Sequence, residues 1–141
     1  MEKMNKEKLI EAVKNISSIA QEKNWVLTLD RDEGALFYSP KIIPDNSELF
    51  RVTDEYAVYL DKKHTPQGVM VEAYNQNFVK HHPEFKKITK NVFGEDGKEI
   101  ETVDPLRDEQ VASFRALFER VLVLDASNAF LHKDSRMYSN A

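Results

Sequence analysis

The stretch Trp25-Val26-Leu27-Thr28-Leu29-Asp30-Arg31-Asp32-Glu33-Gly34-Ala35-Leu36-Phe37-Tyr38-Ser39 decides the reading of the fold. Apolar and β-branched residues open it, a polar turn with glycine interrupts it, and apolar and aromatic residues return. Two short strands joined by a tight turn are predicted, because Gly34 accepts the positive φ that such a turn demands.

On the N-terminal side the apolar period changes from two to about four. Leu9, Ile10, Val13, Ile16, Ile19 and Ala20 mark one stripe of an amphipathic helix over Asn5 to Lys23. Asn5 is its predicted N-cap, Lys6-Glu7-Lys8 fill the first turn, and Asn24 stops it. On the C-terminal side Pro40 and Pro44 bracket a loop, and Leu49-Phe50-Arg51-Val52 reads as a short edge strand. From Glu55 to Leu60, Tyr56, Val58 and Leu60 share one face while Ala57 and Tyr59 share the other. After the polar turn Asp61 to Gly68, the run Val69 to Tyr74 supplies another strand, so about four antiparallel strands are expected.

Beyond the sheet, Asn75 to Lys80 predicts a short helix interrupted at His82, since Pro83 disfavours helical backbone in the residue before it. Ile88 to Phe93 and Lys98 to Val103 flank Gly94-Glu95-Asp96-Gly97 and predict a hairpin. Asp104-Pro105 reads as the N-cap and first residue of a long helix carrying Val111, Phe114, Leu117, Phe118, Val121, Leu122 and Leu124. The sum is an α+β domain over residues 1–131, an antiparallel sheet of about four strands plus a hairpin, packed against an N-terminal and a long C-terminal helix. Residues 132–141, nearly devoid of apolar side chains, are predicted to be a flexible tail.

The middle of the chain resembles a short bacterial and archaeal family of uncharacterised proteins built from a small antiparallel sheet and a helix. The resemblance spans about residues 25–85. It lies in Leu29-Asp30-Arg31-Asp32 with Ala35-Leu36-Phe37-Tyr38, and in Ala57-Val58-Tyr59-Leu60-Asp61 with Gly68-Val69-Met70-Val71-Glu72. Here the Asp61 to Gly68 turn is long, and Gly68-Val69-Met70-Val71 replaces a strand of the Gly-Ile-Glu-Ile type. Some members of that family sit beside small toxin-like proteins, so the resemblance implies a regulatory or antitoxin role and carries over no catalytic residue.

Composition narrows the function classes. The 141 residues include 20 Lys or Arg, 24 Asp or Glu and no cysteine, with a formal net charge of −4 and 41% hydrophobic residues. One domain with a real core fits that length. The absence of cysteine excludes disulfides and thiolate-built zinc sites. The acidic balance argues against a general polyanion binder. No apolar run approaches the ~20 residues of a membrane span, and the N-terminus lacks the apolar region of a signal peptide, so a cytoplasmic protein is expected.

Candidate sites are sparse. In Asp30, Asp32 and Glu33 a calcium loop fails twice, because glycine comes one place early and Lys41 stands where the closing Glu belongs. His81 and His82 are adjacent, so in a regular element their side chains diverge, and with His64 or Glu84 they do not make a recognised ligand spacing. No metal and no cofactor is assigned. Ser39, Ser47, Ser113 and Ser127 lie in no nucleophile motif, and Gly94-Glu95-Asp96-Gly97 is too acidic for a phosphate loop. A carboxylate pair drawn from Asp54, Glu55 or Asp61, or a histidine site assembled by the fold, is the enzymatic alternative.

Two surfaces remain. Lys80, Lys86, Lys87 and Lys90, beside His81 and His82 and interleaved with Phe78 and Phe85, form the basic segment of a nucleic-acid-contacting alternative. The aromatic residues of the strands support the favoured reading, a non-enzymatic binding or regulatory module acting through a protein partner or a second copy of itself. Tyr38, Phe50, Tyr59 and Tyr74 are its expected contact residues, since tyrosine suits a half-wet interface.

Overall fold

The computed structural model describes residues 4–131, so the predicted tail at 132–141 lies outside the described residues. Helices α1 (Lys6–Lys14) and α2 (Ile16–Glu22) lead into strands β1 (Val26–Asp30), β2 (Ala35–Ser39), β3 (Glu48–Arg51), β4 (Tyr56–Leu60) and β5 (Pro66–Val71). A π turn over Tyr74–Phe78 then runs into α3 (Val79–His81), followed by α4 (Phe85–Phe93), β6 (Ile100–Val103) and α5 (Glu109–Leu131). The fold is α+β, with one sheet of order β3-β4-β5-β2-β1-β6 in which every adjacent pair is antiparallel.

The decisive stretch folds as its period requires. Val26 pairs with Ser39 and Asp30 with Ala35. Asp30 Oδ1 accepts the Glu33 amide at 3.0 Å and Gly34 takes φ +70°. The acidic turn thus uses its first carboxylate to close itself. The N-terminal helix is two helices broken at Asn15, with Asn5 Oδ1 capping α1 through the Lys8 amide at 2.9 Å. Asn24 ends the pair in the left-handed region, at φ +55°.

Two predicted elements differ. The first arm of the predicted 88–103 hairpin is helix α4, because Phe85, Val92 and Phe93 are buried together on one helical face; only its second arm is a strand, and it pairs with β1. Asp104 does not cap the long helix. Its carboxylate accepts the Leu106 amide at 2.8 Å in a turn, and α5 begins at Glu109, where Asp108 Oδ1 accepts the Val111 amide at 3.0 Å.

One apolar cluster runs between the sheet and the helices, which pack among themselves through α1 against α5 and α4 against α5. Its centre is aromatic. Phe118 stands 5.9 Å from Tyr38, 5.7 Å from Phe78 and 6.0 Å from Phe114, and Phe85 stands 5.5 Å from Phe114. Phe114 and Phe118 stack while the other three pairs meet edge-on, and both geometries add to the area they bury.

Alternation along the strands sends Leu27, Leu36, Tyr38, Val58 and Val69 into this core. It leaves Thr28, Phe37, Met70 and Ala57, which lie in register across four strands, on the opposite face. No helix among the described residues is long and apolar enough to cross a membrane.

Candidate functional site

Three separate elements bring side chains to one point at the end of the sheet. The first is the turn between β3 and β4. Thr53 is buried there and its Oγ1 accepts the amides of Glu55 and Tyr56, at 3.0 and 3.3 Å, which fixes Glu55 at the tip with its side chain turned inward. The second is the break before Pro83. Its geometry starts at Ala73, whose φ of +47° throws the chain off β5 into the π turn, and ends at His82, which leaves the helix at φ −131°. The third is α5, which contributes Asp125.

His82 Nε2 lies 3.0 Å from Glu55 Oε1 and 2.9 Å from Asp125 Oδ2. His81 Nδ1 reaches the other oxygen of Glu55 at 2.8 Å. Below them the Tyr56 hydroxyl donates to the Leu122 carbonyl of α5, and the Phe78 ring centre is 4.6 Å from that of His82. Glu55, His82 and Asp125 are largely withdrawn from water, with side-chain exposures of 9%, 16% and 20%, whereas His81 at 56% faces solvent.

This setting moves the titrations. For Asp125, burial and the hydrogen bond with Glu55 push the carboxyl up to about 6, against the opposing pull of His82. Burial disfavours the imidazolium of His82, but Asp125 and Glu55 outweigh it and the pKa is raised. Burial, then Asp125 and Glu55, carry the Tyr56 phenol well above its usual value, so it keeps the proton it donates to the Leu122 carbonyl.

The adjacent histidines therefore converge instead of diverging, because His82 is no longer in helical conformation when its side chain is placed. Of the predicted carboxylates only Glu55 takes part. Asp54 is exposed, and Asp61 closes the β4–β5 turn by accepting the Lys63 and Thr65 amides at 2.8 and 2.9 Å. His64, at φ +64° in that turn, stands beside Phe50. Asp125 was not among the sequence candidates. Its signal is positional, since it continues the buried stripe of Phe114, Phe118 and Leu122 at helical spacing, where a carboxylate needs a partner.

No family model, curated protein or solved structure matches the chain. The resemblance over residues 25–85 accordingly stands on its strand and turn residues alone.

The expected contact residues divide between the two faces of the sheet. Tyr38 is in the core: its hydroxyl donates to Glu119 Oε2 at 2.6 Å and its ring meets Trp25 edge-on at 5.3 Å. Tyr74 is also buried. β5 ends at Val71, and the left-handed Ala73 turns Tyr74 inward onto Phe78, at 5.5 Å. Phe50 sits on the edge strand as predicted, but its side chain packs on the helix side. Tyr59 alone of the four lies on the face opposite the helices. Its ring crosses Gly68 toward Met70, with the hydroxyl 3.9 Å from the sulfur.

Of the basic residues, Lys80, Lys86 and Lys90 line one groove with Arg31, while Lys87 does not. Lys90 pairs with Glu95 at 3.3 Å, and Phe78 and Phe85 point into the core, which leaves no stacking surface from either ring.

Proposed function

We propose that this chain is a cytoplasmic, non-enzymatic binding module whose contact surface is the helix-free face of its sheet, and that the surface pairs with a second copy of the chain. One observation carries the reading. Phe37, Tyr59 and Met70 are only half-buried at the centre of that face and Leu49 is exposed beside them, while among the described residues the helices share their core with the opposite face. An aromatic and methionine centre with a polar rim is the composition of a protein interface. Arg51 and Glu72 bond to each other at one end of the same face, so its charge is balanced, and about a two-fold axis each has a complement on the other copy. The sheet edges favour a face over an edge: β3 is short and carries Glu48 and Arg51, features that discourage strand addition.

Analytical ultracentrifugation of the full chain tests this. The reading expects a concentration-dependent dimer whose dissociation constant rises at least ~10-fold in Tyr59→Ala, equivalent to ~1.4 kcal/mol, with unchanged circular dichroism. A chain that stays monomeric throughout, or a dimer indifferent to Tyr59→Ala and Met70→Ala, overturns it.

A further inference from the structure

We propose that Glu55, His82 and Asp125 form a binding site for a zinc-class divalent cation, with His81 holding Glu55 from outside and one coordination position left to water. Charge and protons are mismatched at this point of the fold. Two carboxylates from elements far apart in sequence are drawn to one imidazole nitrogen, and that nitrogen has at most one hydrogen to share between oxygens at 3.0 and 2.9 Å. Among the described residues neither carboxylate pairs with a lysine or arginine; their ionic partners are His81 and His82 alone. Two carboxylates largely withdrawn from water and offset only by one inner imidazole and one exposed one are an expensive arrangement for a merely structural contact.

A divalent cation resolves both deficits, because one ion accepts electron pairs from all three groups at once. The ligand atoms of Glu55, His82 and Asp125 already lie within 4.8 Å of one another, so small rotations close them around an ion. One imidazole and two carboxylates are a mixed nitrogen and oxygen set. That composition favours zinc and its first-row neighbours over magnesium and calcium, which take oxygen alone. His81, whose Nδ1 lies 2.8 Å from the second oxygen of Glu55, does what outer groups do at such sites: it fixes the orientation of a ligating carboxylate. Its exposure also marks the side from which an ion enters.

The site is distinct from the open sheet face and does not depend on it. Chelator-stripped full chain titrated with Zn²⁺ by calorimetry is expected to show one site per chain. His81→Ala, the loss of an outer group, should weaken it by about 10-fold, and Asp125→Asn and Glu55→Gln, which keep shape while removing a charged ligand, should each weaken it by more than that. Co²⁺ bound to the wild type should give visible absorption bands that vanish in His82→Asn while its circular dichroism stays that of the wild type. No heat and no bands with the wild type, or binding unchanged by Asp125→Asn and Glu55→Gln while both variants retain the wild-type circular dichroism, overturns the proposal. Should either variant fail to fold, the wild-type Co²⁺ spectrum and the His81→Ala titration decide it.

Discussion

His82 Nε2 lies 2.9 Å from Asp125 Oδ2, tying the break before Pro83 to α5 across a sequence separation of 43 residues. In the metal-free protein the surroundings of this pair, burial and Glu55 above all, set the sign of a pH dependence. The pKa of Asp125 is raised to about 6 by burial and Glu55, so between the ordinary carboxylate value and about 6 the folded state binds more protons than the unfolded state. Stability therefore falls as pH rises through that window. His82, also raised, acts in the same direction at higher pH: its contribution is present below the unfolded histidine value and is lost as pH rises through the folded one. With chelator present, urea midpoints should decline from about pH 4 upward, and Asp125→Asn should flatten the lower part of the slope. A midpoint that rises across this range would contradict the assignment.

Arg31 is expected to hold the turn after α4 in place. Its guanidinium donates to the carbonyls of Lys98, Phe93 and Gly94 at 2.8, 2.9 and 3.2 Å and to Glu101 Oε1 at 2.9 Å. A planar fork makes all four bonds, and an ammonium cannot reproduce their spread. Arg31→Ala should lower stability by about 1.5–3 kcal/mol, the range for hydrogen bonds to charged groups, and Arg31→Lys should recover little of it. Hydrogen exchange at 94–101 should quicken in both variants.

Phe118 should be among the most sensitive core positions. It meets Tyr38, Phe78, Phe85 and Phe114 and is fully buried, so truncation opens a cavity bounded by rings that cannot collapse into it. Phe118→Ala is expected to cost about 3–5 kcal/mol. Phe118→Leu should cost much less, and thermal denaturation of the pair measures the difference.

How far the sequence discloses this molecule follows the range of the interactions. The β1–β2 hairpin and the α1 cap are legible because their causes are local: a period of two, a turn with Gly34, an Asn three residues before the amide it caps. The segment Ile88 to Phe93 misleads because Ile88, Thr89 and Val92 favour strands, while burial of Phe85, Val92 and Phe93 against α5 decides for helix. Asp104 and Asp108 offer the same capping chemistry within one stretch. What separates them is non-local, since Arg107 Nη1 bonds the Val92 carbonyl at 3.1 Å and fixes the turn between them. The Glu55, His82 and Asp125 cluster has no local spacing at all, and only Asp125 on the apolar stripe of α5 hints at it. Tyr38 and Tyr59 differ in accessibility because helices cover one face of the sheet, which no alternation pattern specifies.

Gly68 links the stability of the sheet to its open face. A Cβ at this position would stand 2.9 Å from Ser39 Cβ, 3.5 Å from Tyr59 Cδ2 and 3.7 Å from Ile43 Cδ1. The first distance forces strand β2 or β5 to shift, whereas the other two are ordinary van der Waals contacts that bring the new methyl group against the Tyr59 ring. Gly68→Ala should therefore destabilise the fold by about 1–3 kcal/mol, as overpacking does, and alter the ring resonances of Tyr59. Removing the opposing carbon separates this clash from any other effect of the alanine. In a Ser39→Gly background the penalty of Gly68→Ala should shrink by at least ~0.5 kcal/mol, the coupling expected of residues in contact. Strictly additive effects in this double-mutant cycle would show that the two positions do not press on each other.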